Sequence, residues 1–174
     1  LQDGLILEFG VHVGKSINIL AKRMYGKKLY GFDSFEGIPE AWIEHDKNGN
    51  PLRKMYGKNG MSLNGWMPKV QDNVTLIKGW FNETLDNFLK KNKEPIKFMH
   101  IDCDIYSSTV DIFNNCKEQI VDGTIIIFDE LFQGNDIYNE FKAFYEFIKE
   151  NNLGFEVICY SKYSSNQWMI KIKK

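Results

Sequence analysis

The sequence predicts an α/β fold, namely a doubly wound, mostly parallel sheet that ends in an antiparallel hairpin. Short apolar runs alternate with amphipathic helical stripes along the chain, a pattern that is typical of parallel strands joined by helices. The last two strand-like runs, 155–160 and 167–172, are separated by only six residues. Because six residues are too few for a parallel crossover, these two runs predict antiparallel neighbours.

The composition indicates a globular protein without a strongly charged partner. The chain has 174 residues, a net charge of −1 and 43% hydrophobic residues, which predicts a single domain over 1–174 with a sizeable core. This charge balance gives no support for nucleic acid or an anionic membrane as partner, and no apolar run approaches the roughly 20 residues that span a bilayer. Cys103, Cys116 and Cys159 lack C-x-x-C spacing, so we expect reduced thiols and a cytoplasmic location.

The first strand and the turn after it predict an anion-binding site. Residues 5–9 form a short, mostly apolar run that predicts a buried strand, and Gly10 and Gly14 interrupt it. Apolar residues over 17–24 then recur with helical spacing, and Gly26 suits the end of that helix. Because a strand, a glycine turn and a helix together direct backbone N–H groups at an anion, we expect a cofactor that carries a carboxylate or a phosphate.

The spacing of these glycines leaves an alternative open. Gly10 and Gly14 do not fit the dinucleotide fingerprint G-x-G-x-x-G. Residues 10–16 nearly fit the phosphate-binding loop G-x-x-x-x-G-K-S but are one residue short, and the acid-ended run 124–130 resembles the strand that holds magnesium in such NTPases. A P-loop-like NTPase is therefore the alternative, although an antiparallel hairpin at the end of the sheet is unusual for that class.

The second predicted strand, 28–32, is followed directly by Asp33. An acid at this position, about 20 residues after a glycine turn, is where nucleotide-type cofactors have their ribose hydroxyls bound. The alternative is that Asp33 only caps a turn.

Residues 34–73 predict a functional insertion. The segment contains five glycines and three prolines interleaved with Trp42, Tyr56 and Trp66, and it is too long for an ordinary connection between strands. We expect a lid over an acceptor molecule, and the alternative is that its aromatic residues pack a minor cluster. His45 lies in this segment and is a candidate general base.

The remaining strands are predicted at the same edge of the sheet. Asn82 is expected to cap the helix after the third strand, Ser107 or Ser108 the helix after the fourth, and a further helical stripe covers 141–148. The third, fourth and fifth strands are predicted over 74–78, 97–101 and 124–128.

Carboxylates follow the fourth and fifth strands directly. Asp102 comes after the fourth strand, and Asp129 and Glu130 come after the fifth. Since the carboxyl ends of parallel strands meet at one edge, we expect these three side chains to converge. An oxygen-rich group of this kind suits magnesium, and without a cation the carboxylates would repel each other and raise at least one pKa.

Taken together, these motifs resemble those of class I S-adenosylmethionine-dependent methyltransferases, most closely the macrocin/mycinamicin O-methyltransferase family. The resemblance implies a Rossmann-like, seven-stranded-type sheet, S-adenosylmethionine and Mg²⁺ as cofactors, and methyl transfer to a hydroxyl of a small molecule, a sugar or glycoside. It leaves the acceptor's identity and a homo-oligomeric state open. The matching segments run in family order over 7–17, 30–42, 78–85, 100–109 and 127–130.

The resemblance also implies roles for individual residues. Ser16 would meet the carboxylate of the cofactor's methionine part, Asp33 the ribose hydroxyls, and Gly79 and Trp80 would border the adenine. The implied cofactor-binding set is Glu8, Gly10, Gly14, Ser16, Asp33, Ser34, Gly79, Trp80 and Asp102. The implied magnesium ligands are Asp102, Asp129 and Glu130, where Glu130 replaces an aspartate or asparagine of the relatives.

Two expectations about catalysis complete the sequence analysis. Asp102 is the first candidate for activating the acceptor hydroxyl, and His45 is the second. The relatives carry helices before the first strand, whereas this chain begins just before it, so part of an acceptor-binding or dimer-forming segment is expected to be missing. A non-catalytic cofactor-binding remnant is therefore a further alternative.

Overall fold

A computed structural model describes residues 3–132, 136–161 and 167–174. The described residues form nine strands and four helices, and the predicted strand runs reappear with small changes at their ends. In chain order the elements are β1 (Leu5–Phe9), α1 (Lys15–Arg23), β2 (Leu29–Asp33), β3 (Trp42–His45), β4 (Pro51–Tyr56), β5 (Val74–Lys78), α2 (Phe81–Lys91), β6 (Ile96–Ile101), α3 (Tyr106–Cys116), β7 (Ile120–Phe128), α4 (Glu140–Glu150), β8 (Gly154–Tyr160) and β9 (Trp168–Lys173).

Seven strands make the central sheet in the order β5-β2-β1-β6-β7-β9-β8. The first five of these run parallel, whereas β9 pairs antiparallel with both β7 and β8. This arrangement confirms the predicted fold class, a mostly parallel sheet that ends in an antiparallel hairpin. Residues 162–166, which join the two hairpin strands, lie outside the described residues.

Helices cover both faces of the sheet, as the doubly wound prediction requires. Ile17 and Ala21 of α1 pack with Ile6 and Phe98 on one face. Helices α2, α3 and α4 lie side by side on the other face, where the ring of Phe113 stacks on another ring at the α3–α4 contact. All five residues of β1 are buried between these layers, which explains its nearly continuous apolar sequence.

The predicted helix caps are wrong. Helix α2 begins at Phe81, so Asn82 lies inside it, and α3 begins at Tyr106 without a side-chain cap. The hydroxyl of Ser107 instead donates to Glu40 at 2.6 Å, and Ser108 is buried within the helix. The hydroxyl of Ser107 thus makes a long-range hydrogen bond in place of the local capping bond that the sequence pattern predicted.

The insertion over 34–73 contains a hairpin that the sequence did not predict. Strands β3 and β4 pair antiparallel, and the Asp46 carboxylate accepts the backbone N–H groups of Asn48 and Asn50 in the turn between them. The hairpin packs on the start of α3 through a cluster that includes Trp42 and Ile105. Part of the insertion's aromatic content is therefore structural.

Among the described helices, none combines the length and the apolar character needed to cross a membrane.

Candidate functional site

A cavity of about 460 Å³ opens at the carboxyl ends of the parallel strands. Gly10 after β1, Asp33 at the end of β2, Gly79 after β5, Asp102 after β6 and Glu130 after β7 all line it. Each of these residues was a candidate from the sequence. The cavity occupies the edge of the sheet where open α/β folds bind their ligands.

The turn between β1 and α1, residues 10–14, forms one side of the cavity and is called the glycine turn below. Its backbone is left-handed at Gly10 (φ 90°), His12 (φ 46°) and Gly14 (φ 80°). A Cβ on Gly10 would lie 1.7 Å from the carbonyl oxygen of Asp102, so only glycine allows this close approach of two backbones. The glycine turn is therefore held directly against the residue that follows β6.

Asp33 joins the glycine turn to the end of β2. Its Oδ2 accepts the backbone N–H groups of Val11 at 2.8 Å and His12 at 2.7 Å, and its Oδ1 accepts that of Phe35 at 2.7 Å. A carboxylate offers about four acceptor sites, so capacity remains for a hydroxyl. Asp33 thus caps a turn, as the alternative interpretation expected, while ribose binding by Asp33 stays a prediction. Ser34 beside it lines the cavity and bonds within the same turn.

Three of the nine expected cofactor-binding residues, Glu8, Gly14 and Ser16, do not line the cavity. Glu8 is 1% exposed, and it accepts from the Ser16 hydroxyl at 2.9 Å and contacts Nδ1 of His100 at 3.1 Å. Gly14 is also absent from the lining. Glu8 and Ser16 flank the glycine turn in the chain and hydrogen-bond to each other, and direct contact of these three residues with a cofactor stays a prediction. The other six, Gly10, Asp33, Ser34, Gly79, Trp80 and Asp102, line the cavity together.

His100 is a site residue that sequence reasoning missed. Burial alone would lower its pKa, but the hydrogen bond and the charge of Glu8, with the charges of Asp102 and Asp129, raise it instead. A histidine in a predicted strand, two residues before Asp102, was the sequence signal that could have identified His100.

Three carboxylates meet on the wall of the cavity, and we call Asp102, Asp104 and Glu130 the acidic group. They offer oxygens that all lie within 4.8 Å of one another. Burial and the charge of Asp129 raise the pKa of Asp102 to about 7, and burial raises the pKa of Asp104 to about 7. Burial and the charge of Asp104 raise the pKa of Glu130 to about 9, as expected for carboxylates held together.

The structure divides the predicted magnesium ligands between two overlapping groups. Asp102 belongs to the acidic group and also to a second group with Asp129 and His100, whose candidate ligand atoms again lie within 4.8 Å of one another. Asp129 accepts a hydrogen bond from Gln167 and does not line the cavity. Asp104, which the sequence analysis did not select, takes its place beside Glu130. The presence of a second acidic residue two positions after Asp102 was the sequence signal that could have identified Asp104.

The acidic group fits a hard divalent cation. Its donors are all carboxylate oxygens, which Mg²⁺ prefers. The Oε2 atom of Glu130 is buried and has no hydrogen-bond partner within the described ranges. A buried acceptor without a donor is unfavourable unless a cation or a ligand group meets it.

Another part of the cavity lining is apolar. The rings of Trp42 and Tyr56 stack there at 5.9 Å between centroids. A cavity with one acidic and one aromatic side suits a molecule that has both hydroxyl groups and C–H faces. The residues of this apolar wall are Ile38, Trp42, Met55, Tyr56 and Met61.

His45, the second catalytic candidate, does not line the cavity. Its Nδ1 lies 3.3 Å from Oδ2 of Asp136, which also accepts its backbone N–H at 3.0 Å. These contacts attach the hairpin to the residues before α4, and they do not favour His45 as the base.

The comparisons with known proteins agree with this geometry. Residues 7–131 match a family described as a methyltransferase domain. A relative from Streptomyces olivaceus is 27% identical over 154 residues. It is the "8-demethyl-8-(2,3-dimethoxy-alpha-L-rhamnosyl)-tetracenomycin-C 4'-O-methyltransferase", and the match covers 75% of this chain and 55% of that protein. The chain therefore spans about half the length of this curated relative.

Solved structures share the fold. The calicheamicin methyltransferase CalS11 superposes with a TM-score of 0.69 at 20% identity, over 98% of this chain and 72% of its own. The O-methyltransferase NovP gives a TM-score of 0.66 at 18% identity, over 99% and 73%. An O-methyltransferase from Bacillus cereus, solved in complex with SAH, gives 0.59 at 16% identity, over 97% and 73%. Because the family match covers most of the chain and the sheet order agrees with it, the chain belongs to the methyltransferase-domain family and has the class I fold of S-adenosylmethionine-dependent enzymes.

Proposed function

We propose that the protein is an S-adenosylmethionine-dependent O-methyltransferase that acts on a hydroxyl of a small sugar or glycoside. The observation that carries this proposal is the single cavity in which the glycine turn, the acidic group and the apolar wall meet. The relatives support it, because one acts on a rhamnosyl group by its name and CalS11 is described as a TDP-rhamnose 3'-O-methyltransferase.

The cofactor would lie along the carboxyl edge of β1, β2 and β5. Gly10 and the glycine turn would face its methionine part, Asp33 would accept from the ribose, and Gly79 and Trp80 would border the adenine. These four residues line one continuous cavity in the required order across the sheet, β1, β2 and β5. This order is the support for placing one elongated ligand there.

Methyl transfer from S-adenosylmethionine is an in-line displacement. The acceptor oxygen forms a bond to the methyl carbon while the carbon–sulfur bond breaks, and the products are a methyl ether and S-adenosylhomocysteine. The cofactor supplies the electrophile, so the protein mainly aligns the acceptor and excludes water. The acidic group would hold the acceptor hydroxyl, and the apolar wall would cover its C–H face.

The hydroxyl proton must leave during this step, and we assign it to the carboxylate of Asp104. Asp102 belongs to both ligand groups and is the natural centre of a cation site. Asp104 lies at the boundary of the acidic group and the apolar wall, because Ile105 directly after it packs against Ile38 and Trp42. A divalent ion bound by Asp102 and Glu130 would lower the pKa of the hydroxyl.

The test is a turnover screen with S-adenosylmethionine and Mg²⁺ against hydroxylated sugars, glycosides and nucleotide sugars such as TDP-rhamnose. Mass spectrometry would follow S-adenosylhomocysteine and the methylated product. We expect turnover with at least one sugar acceptor and its loss in Asp104→Asn, with S-adenosylhomocysteine affinity retained. Cofactor binding without turnover would favour a non-catalytic protein, and ATP binding without S-adenosylmethionine binding would favour the NTPase alternative.

A further inference from the structure

Glu140, the first residue of α4, is a buried carboxylate that the reaction proposed above does not use. It is 1% exposed, and within the described ranges no lysine, arginine or histidine forms an ion pair with it. Its Oε1 accepts the backbone N–H groups of Cys103 and Asp104, both at 3.3 Å. A buried carboxyl group without a cationic partner is unfavourable for folding, so the presence of Glu140 at this position needs a structural explanation.

The reason lies in the backbone of residues 102–105, which we call the acid loop. Asp104 has a φ of 67°, in the left-handed region that is unfavourable for a residue with a Cβ. The turn is tight, because the N–H of Ile105 donates to the carbonyl of Cys103 at 2.8 Å. One carboxylate oxygen that binds two successive N–H groups selects this conformation over an extended one.

The same segment before α4 also fixes the hairpin of the insertion. Asn139 Nδ2 donates to the carbonyl of Ile43 at 3.0 Å, and Asp136 accepts the backbone N–H of His45 at 3.0 Å. The start of α4 thus contacts both the hairpin that contributes to the apolar wall and the loop that carries the acidic group. It therefore connects the apolar wall with the acidic group.

We propose that Glu140 is a positioning residue that holds Asp104 at the cavity wall for methyl transfer. The proposal rests on the proposed function for its catalytic part only. Glu140 itself does not line the cavity. Glu140 would affect the reaction only by holding the acid loop in its conformation. That role needs a side chain of this length and an acceptor oxygen at its end.

The test compares Glu140→Gln, which keeps an acceptor oxygen, with Glu140→Leu, which removes it. Amide hydrogen exchange at Cys103 and Asp104, resolved by NMR, should quicken by about tenfold or more in Glu140→Leu and by less than about threefold in Glu140→Gln. The affinity for S-adenosylhomocysteine should stay within about threefold of wild type in both variants, because the glycine turn is not touched. With the acceptor found by the screen, kcat should fall by about 100-fold in Glu140→Leu and be rescued in Glu140→Gln.

Glu146→Leu is the matched control. Glu146 lies on the same helix and accepts from the hydroxyl of Tyr106, the residue directly after the acid loop, at 2.7 Å, but within the described ranges it accepts no backbone N–H of that loop. The Glu146→Leu substitution should change neither the hydrogen-exchange rates of the Cys103 and Asp104 amides nor kcat. Should Glu140→Leu not fold, Glu140→Asp, which withdraws the carboxylate by one methylene, gives the same comparison.

The outcomes separate this proposal from the proposed function. Exchange and cofactor affinity need no acceptor, so they decide the positioning role even if wild type methylates nothing in the screen. Unchanged exchange in Glu140→Leu would overturn the proposal. So would equal losses of kcat in the glutamine and leucine variants, because the retained acceptor oxygen would then be irrelevant.

Discussion

At the scale of single residues, the site is built by carboxylates that perform different tasks in similar surroundings. Asp33 binds three backbone N–H groups and keeps the glycine turn in shape. Glu140 does the same for the acid loop, whereas Asp102, Asp104 and Glu130 share an exposed side on the cavity. A carboxylate's task here follows from the donors around it and not from its residue type.

Asp33→Ala should weaken S-adenosylhomocysteine binding by about 2–3 kcal/mol, because the proposed charged hydrogen bond to the ribose would be lost together with the bonds to the glycine turn. Isothermal titration calorimetry would measure it. Asp46→Ala is the control, since Asp46 caps a turn of the hairpin with the same kind of contact but does not line the cavity. Equal affinities in Asp33→Ala and wild type would remove Asp33 from the cofactor site.

Asp102→Asn should abolish Mg²⁺ binding, because Asp102 is the one carboxylate that belongs to both ligand groups of the described chain. Calorimetry with Mg²⁺, and electron paramagnetic resonance with Mn²⁺, would report binding without any acceptor. Asp129→Asn and Glu130→Gln then decide which group holds the ion. Asp111→Asn is the control, since Asp111 lines the cavity outside both groups. Binding of Mg²⁺ that survives in Asp102→Asn would contradict a site at these carboxylates.

At the scale of elements, predictability follows the apolar sequence pattern and not burial, since β8 is exposed throughout and was still predicted. The strands β1 and β5 have the predicted bounds, because their apolar runs end at glycine or charged residues. The hairpin β3–β4 was missed because the sequence of β4 has no alternation of apolar and polar residues that would indicate a strand. The sequence placed acids at the strand ends, but the grouping of Asp104 with Glu130 depends on a left-handed turn that no local pattern revealed.

The hairpin is also the element that we expect to respond to ligand. Arg53 and Lys54 on β4 are exposed, so trypsin should cleave there in the free protein. An acceptor against the apolar wall, together with S-adenosylhomocysteine, should slow this cleavage because it orders the hairpin over the cavity. Cleavage at Lys90 and Lys91, on α2 and away from the cavity, is the internal control. A hairpin that already resists trypsin without ligand would show that it is a fixed part of the structure.

At the scale of the whole molecule, the ligand edge gathers residues that are far apart in the chain. Gly10, Asp33, Gly79 and Asp102 come from four strands that lie side by side in the order β5-β2-β1-β6. The glycine turn and the carbonyl of Asp102 also approach each other so closely that there is no room for a Cβ atom on Gly10. A ligand that bridges these strands therefore stabilises the fold as a unit, because unfolding any of them destroys its site.

S-adenosylhomocysteine should for this reason raise the melting temperature of the whole protein. At about 100 times its Kd a ligand adds about 2.7 kcal/mol to the free energy of unfolding, which corresponds to a shift of about 5–10 °C for a domain of this size. Differential scanning fluorimetry would measure the shift, with ATP and Mg²⁺ as the matched control, since the loop over 10–16 is one residue short of the phosphate-binding loop. Asp33→Ala should reduce the shift at the same ligand concentration. A shift with ATP and none with S-adenosylhomocysteine would reverse the assignment of this edge and make it a phosphate site.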